Sequence, residues 1–374
     1  MEFGLSDEQR MLEDSVRGFL GEKLSMERLR KIAEIGGGFD AALWEGLIEQ
    51  GVVGLLVPER FGGSGLGLLD AAVVAESLGY YAAPAPFPAS LVMAPLALVA
   101  AGSEAQQAEW LPGIASGEAR MSVAFAGGAG QTGDASVQLE GDRISGRLIG
   151  ALDGGAASHV LIFLPDGRAA LVDAHETGVD VDVRRSLDRT RPISGWTVNN
   201  AKAIILGAAN DARAVAGRVL DAGRVILAAD TLGAAQSMFD KALAYSKERV
   251  QFNRVIGSFQ GVKHTLADLV TSLEPCRAMV WYAAHAQDAA PEEARIMALQ
   301  AKAHLGEVGR EVARLATEVH GGMGFTDLLG LHYWLKRIAF DRQMLGAPER
   351  CRQEAAAVQG WLAAKFGPVA AQTS

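Results

Sequence analysis

The spacing of apolar residues changes twice along the chain, and each change marks a change of architecture. In the first stretch, Met11, Leu12, Val16 and Leu20 return at three- or four-residue intervals, the period of one helix face. Ser6 stands before this run as an N-cap, and acidic side chains fill the first turn, where the helix dipole favours them. Pro58 and the glycines that follow interrupt the pattern as a loop, and "LLDAAVVAESLGYY" resumes it as a helix. From about residue 121 the period shortens to alternation. "DASVQLEGDRISG", "SHVLIFLPDGRAALVDA" and "GVDVDVRRS" read as short strands, with turns at Glu140-Gly141-Asp142 and Pro165-Asp166-Gly167. Beyond about residue 207 helical spacing returns in longer runs. Val215, Val219, Ala222, Ile226, Ala229 and Gly233 share one face, as do Leu305, Val308, Val312, Leu315 and Val319. Pro291-Glu292-Glu293 is a helix start, and Gly321-Gly322 ends the last of these runs.

The pattern predicts an α+β multidomain chain. An N-terminal α-helical domain covers 1–120, a middle β-barrel or sandwich domain 121–205, and a C-terminal helical domain, a four-helix bundle, 206–374. With 374 residues, 49% of them hydrophobic and 21% charged, the chain has the balance of a globular protein with large cores. The net charge of −9 argues against nucleic acid or an anionic membrane as partner. No apolar run reaches the ~20 residues a membrane span needs. The start "MEFGLSDEQRML" lacks the basic-then-apolar order of a secretory signal. Cys276 and Cys351 are the two cysteines, without C-x-x-C or histidines at ligand spacing, so a reducing, cytoplasmic setting and no metal site are expected.

"GAGQTG", Gly128 to Gly133, matches the G-x-G-x-x-G run that cradles a dinucleotide pyrophosphate. That role needs a helix after the glycines, so that phosphate lands on its N-terminus. Here an alternating hairpin follows, and a Rossmann reading fails on context.

Three segments make the layout specific. "YSKERVQFNRVIGSFQGVKHTLAD" (Tyr245 to Asp268), "EVHGGMGF" (Glu318 to Phe325) and "VPERFGGSGLG" (Val57 to Gly67) resemble the acyl-CoA dehydrogenase flavoprotein family, and the resemblance runs almost end to end. It implies a helix–β–helix tetramer that oxidises acyl-CoA thioesters to the 2,3-enoyl form, with FAD accepting the hydride and electron-transferring flavoprotein as the usual acceptor. By the same resemblance, Arg249, Gln251 and Phe252 reach the FAD of an adjoining subunit, with Gln260 and Glu318 in the same motifs. Gly321, Gly322 and Gly324 let the nucleotide approach the backbone, and His320 is structural. The "VAFAGGAGQTG" stretch occupies the flavin-facing loop, which places Phe125, Gly128, Gly130 and Gln131 nearest the ring.

The departures from the family are as informative. Its Thr-Glu-Pro is Phe125-Ala126-Gly127 here, and its Trp and Thr near the flavin align with Gly150 and Leu152. Abstraction of an α-proton requires a carboxylate beside the flavin. The two positions from which family members supply it are Leu345 and Gly223 in this sequence, and neither can take a proton. Asp221, Asp341 and Glu349 are carboxylates nearby in sequence, expected as solvated or salt-bridged surface acids. Asp221 and Arg224 are expected along the thioester's path, with an ion pair between them on the helix surface as the bland alternative. Loss of both glutamates, together with "MLGAPERCR", resembles subunits of the α2β2 enzymes that bacteria use on bulky acyl-CoA substrates such as steroid side chains. A paralogous partner then supplies the base. A homotetramer with an atypical base, a non-redox scaffold and an elimination enzyme that retains FAD remain as alternatives.

Overall fold

The computed structural model describes residues 4–36, 38–126, 136–184, 186–207 and 211–361. The N-terminal helices are α1 (Asp7–Lys23), α2 (Met26–Ile35), α3 (Ala41–Glu49), α4 (Leu68–Tyr80), α5 (Ala94–Ala101) and α6 (Glu104–Ala115). Ser6 caps α1 as its sequence suggests: its Oγ accepts from Gln9 N at 3.2 Å, and Gln9 Oε1 accepts from Ser6 N at 3.0 Å. A π-helical segment, Pro88–Met93, leads into α5.

The middle strands are β1 (Met121–Phe125), β2 (Val137–Glu140), β3 (Arg143–Leu152), β4 (His159–Phe163), β5 (Ala169–Asp173), β6 (Val179–Arg184), β7 (Ile193–Lys202) and β8 (Ile204–Ile205). They form one sheet in the order β6-β7-β3-β1-β4-β5-β8, with β2 paired to β3. Among the described residues β1 and β4 run parallel and the other strand pairs of this sheet are antiparallel. A barrel or sandwich was the sequence expectation. Among the described residues the strands make a single sheet that does not close, because β6 pairs only with β7 and β8 only with β5. Its own core includes Ile144, Leu148, Val160, Ile162 and Trp196.

The C-terminal helices are α7 (Arg213–Glu248), α8 (Gln260–Ala289), α9 (Pro291–Val319), α10 (Leu331–Gln343) and α11 (Pro348–Val358). Where a four-helix bundle was expected, the described residues of this helical domain form three long helices and two short ones. A two-stranded hairpin, β9 (Val250–Gln251) and β10 (Arg254–Val255), separates α7 from α8.

The sequence pattern gives α7 one apolar face, yet every residue from Val219 to Ala235 is buried. Helices α4, α8, α9 and α10 all pack against it, so it has no solvent face along this length. The approach of α4 is close. A Cβ on Gly233 would lie 1.8 Å from Glu76 O, and one on Gly79 would lie 2.0 Å from Asp230 O. Two glycines facing each other's backbone let these helices cross at a distance no larger residue permits. The N-terminal helices, β1 and the bundle therefore share one continuous core.

Candidate functional site

The two positions at which the resemblance led us to expect a base, Gly223 and Leu345, lie 122 residues apart and meet in space. Gly223 sits in the buried middle of α7, and Leu345 follows the end of α10. A Cβ built on Gly223 would fall 2.7 Å from Leu345 Cδ1 and 2.8 Å from Met93 Sδ. Met93 arrives from the π-helical segment, a feature the sequence pattern did not signal. The meeting point is apolar and filled, with Met93 and Leu345 both buried.

The turn that carries Leu345 is held by side chains from the bundle. Leu345 has φ +56° and Gly346 φ +113°, so a leucine stands in the left-handed region. Arg224 Nε donates to Leu345 O at 2.9 Å. Lys302 Nζ donates to Arg342 O and Gly346 O, each at 3.1 Å. Lys302 is buried, and loss of hydration pulls its ammonium down to about 8. It grips the carbonyls left open at the end of α10, a place where a cation is favoured.

Asp221 and Arg224 do not form the expected surface pair. Arg224 is 0% exposed and Asp221 is buried beside it. Arg224 Nη1 meets Asp221 Oδ1 at 3.0 Å, and its Nη2 meets Glu354 Oε2 at 2.9 Å. Arg295 closes the set on Asp221 at 3.2 Å and on Glu354 at 3.5 Å. Burial pushes the Asp221 carboxyl up against the pull of both arginines. These charges are satisfied within the chain, so their geometry is that of a structural cluster beneath the Leu345 turn. Asp341 also departs from the expected surface acid: it is buried and pairs with Arg191 at 2.7 Å. Glu349 is exposed and pairs with Arg342 at 2.8 Å, as a salt-bridged surface acid should.

The residues expected at the nucleotide end cluster at the far end of α7. The hairpin turn is Phe252-Asn253, with φ +51° and +60°, and Phe252 is 87% exposed. Arg249, the C-cap of α7, makes no ion pair among the described residues. Arg254 lies over the Phe259 ring at 3.9 Å, and Gln260 opens α8 in an exposed position. His320 stacks on Tyr245, one turn before Arg249, with ring centroids 4.6 Å apart. Its Nδ1 lies 2.7 Å from Ala316 O, and burial lowers its pKa, which is a structural arrangement. That stack sets the glycine turn beside the end of α7. A Cβ on Gly321 or Gly322 would meet nothing within 4 Å, whereas one on Gly324 would reach Thr317 O at 2.5 Å. Glu318 pairs with Arg314 at 2.5 Å.

A guanidinium without a carboxylate, two glycines with open surroundings and an uncovered phenyl ring fit the phosphate and nucleotide end of a dinucleotide. The ring end differs. Phe125 is buried and stacked on Phe163, with centroids 5.4 Å apart and planes 12° apart. Gly150 has φ +75° and Leu152 is buried, so neither offers a hydrogen-bonding side chain. Gly128, Gly130 and Gln131 lie outside the described residues.

Comparison with known proteins agrees with this architecture. Residues 6–118 match the acyl-CoA dehydrogenase N-terminal domain, and residues 213–359 match the C-terminal domain. The acyl-CoA dehydrogenase IpdE2 of Mycolicibacterium smegmatis is 31% identical, over 92% of this chain and 96% of its own. Among solved structures, a variant of the Tcur3481-Tcur3483 steroid ACAD superposes with TM-score 0.85 at 30% identity, covering 95% of this chain and 98% of that one. The ChsE4-ChsE5 complex from Mycobacterium tuberculosis gives TM-score 0.87 at 26% identity, covering 97% and 100%. The chain belongs to the acyl-CoA dehydrogenase family of FAD-dependent oxidoreductases.

Proposed function

We propose that this chain is one subunit of a heteromeric acyl-CoA dehydrogenase in which a paralogous partner supplies the base. The observation that carries this reading is the contact of Gly223, Leu345 and Met93. Both positions that could hold a carboxylate converge there, and hydrocarbon and a thioether fill the space between them. Removing a proton from the carbon beside a thioester needs an acceptor within hydrogen-bond reach. Asp221 and Asp341 are buried and held by arginines of this chain, so neither is free to serve.

This chain's contribution is at the other end of the cofactor. Arg249 would neutralise pyrophosphate, the Gly321-Gly322 turn would give backbone access, and Phe252, beside Gln251, would be covered by the adjoining subunit. When bound, FAD supplies the acceptor for the hydride. The solved relatives named as pairs, Tcur3481-Tcur3483 and ChsE4-ChsE5, support a two-chain enzyme and a bulky, steroid-like acyl-CoA as substrate. Electron-transferring flavoprotein is the acceptor proposed for the complex. No described helix is long and apolar enough to cross a membrane. Both cysteines are free and buried, which suits the reducing cytoplasm.

The test is to purify the chain alone and together with the paralogue encoded beside it, and to record mass, flavin absorbance and acyl-CoA oxidation. A flavin-loaded, active heteromer and a lone chain without turnover are expected. Stoichiometric FAD and turnover in the lone chain would overturn the proposal.

A further inference from the structure

Six buried charged groups join the three domains at one point. The segment between β6 and β7 brings Asp188 and Arg191, the end of β3 brings Asp153, α7 brings Asp230, and α10 brings Arg337 and Asp341; all are buried. Arg191 bridges two carboxyls, with Nη1 on Asp341 Oδ1 at 2.7 Å and Nη2 on Asp230 Oδ2 at 2.8 Å. Arg337 takes Asp230 in a two-pronged grip at 2.8 and 2.9 Å, and its Nη1 donates to Thr190 Oγ1 at 3.0 Å. Asp188 accepts from Thr190 N and Oγ1. Asp153 accepts from Ala89 N at 2.7 Å, which ties in the π-helical segment of the N-terminal domain. Asp153 and Arg191 also line a small cavity of about 10 Å³.

The charges in this network do not balance. Four aspartates face two arginines, so full ionisation would bury two uncompensated negative charges, a state proteins avoid by neutralising the group. Among the described residues Asp341 Oδ2 finds no donor, and Arg191 bridges its carboxyl to that of Asp230. A proton on Asp341 gives it a donor toward Asp230 and removes one of the excess charges.

We propose that this network is a proton-dependent latch: it holds the middle sheet on the bundle while Asp341 and Asp153 are neutral, and it loosens as they ionise. The directions agree. Burial, followed by the Asp230 charge, raises Asp341 well above the ordinary carboxylate range, and burial raises Asp153. Burial opposes ionisation of Asp230 as well, but Arg191 and Arg337 overcome it and hold that carboxylate down. Lys302 of α9 is the other titrating group that senses Asp341. Being lowered by burial, it changes stability with the opposite sign.

For an acid raised in the folded state, stability is fully present below the unfolded pKa and is lost as pH rises toward the folded value. The experiment follows the melting temperature of the full chain from about pH 4, the ordinary aspartate value, up to about pH 9, for wild type, Asp341→Asn and Asp153→Asn. Wild type should lose several degrees across this range. Each asparagine, a stand-in for the neutral acid, should flatten the loss. Infrared difference spectra should show a protonated carboxyl band in wild type that weakens in Asp341→Asn. Melting curves parallel to wild type in both variants would overturn the latch. So would failure of both variants to fold, since an amide reproduces the proposed neutral state.

Discussion

Gly223 and Leu345 occupy one point from two directions: the space a Cβ would need on the first is held by Cδ1 of the second, 2.7 Å away. The two positions expected to carry a base are therefore filled by packing as well as occupied by non-acidic residues. Substituting Gly223→Ala should destabilise the chain by about 1–3 kcal/mol, the usual range for overpacking a filled core. Adding Leu345→Ala should recover part of that loss, because it removes the obstructing methyl group. Urea unfolding of both singles and the double, treated as a double-mutant cycle, measures the coupling. Additive effects would show that the two positions do not compete for this space.

Lys302 is expected to hold the Leu345 turn by hydrogen bonding. Lys302→Met keeps most of the volume but leaves Arg342 O and Gly346 O without their donor. A loss of about 1–3 kcal/mol in denaturant unfolding is expected, the cost of buried acceptors left unsatisfied. A neutral outcome would mean that Arg224 alone secures the turn.

At the crossing of α4 and α7, Gly233→Ala should be severe. The added methyl would lie 1.8 Å from Glu76 O, and backbone cannot swing aside as a side chain can. More than about 4 kcal/mol, or failure to fold, is expected, placing it in the exceptional tail of single substitutions. A thermal melt against Gly18→Ala, where a Cβ meets nothing within 4 Å, gives the internal comparison.

Arg249 should behave in the opposite way. It has no ion-pair partner among the described residues, so Arg249→Ala should leave the melting temperature of the isolated chain nearly unchanged. In the purified complex the same substitution should lower FAD retention, measured by flavin absorbance per protein after gel filtration. Arg249→Lys should recover only part, because an ammonium lacks the planar fork. Unchanged flavin content in Arg249→Ala would remove this residue from the nucleotide site.

The helix–β–helix order was legible because each change of fold is a change of period, and the Ser6 cap and the first-turn Pro291 obey local chemistry. The family was legible through motifs; the meeting of Gly223 with Leu345 is a tertiary fact no spacing reveals. Asp221 and Asp341 were misjudged as surface acids for a related reason. Helical spacing shows which residues share a face, but not that α7 would be enclosed on every side or that Arg191 would arrive from a strand connection to meet Asp341. Met93 and Lys302 gave no signal at all. A methionine in an apolar run and a lysine in an amphipathic helix are ordinary until the turn they support is seen.

The most direct measurement is hydrogen exchange at the carbon beside the thioester. Acyl-CoA incubated in heavy water with FAD and this chain should retain its mass, while the same mixture containing the paralogous partner should gain deuterium. Exchange catalysed by the chain alone would show that it carries a working base, and would contradict the assignment built on Gly223 and Leu345.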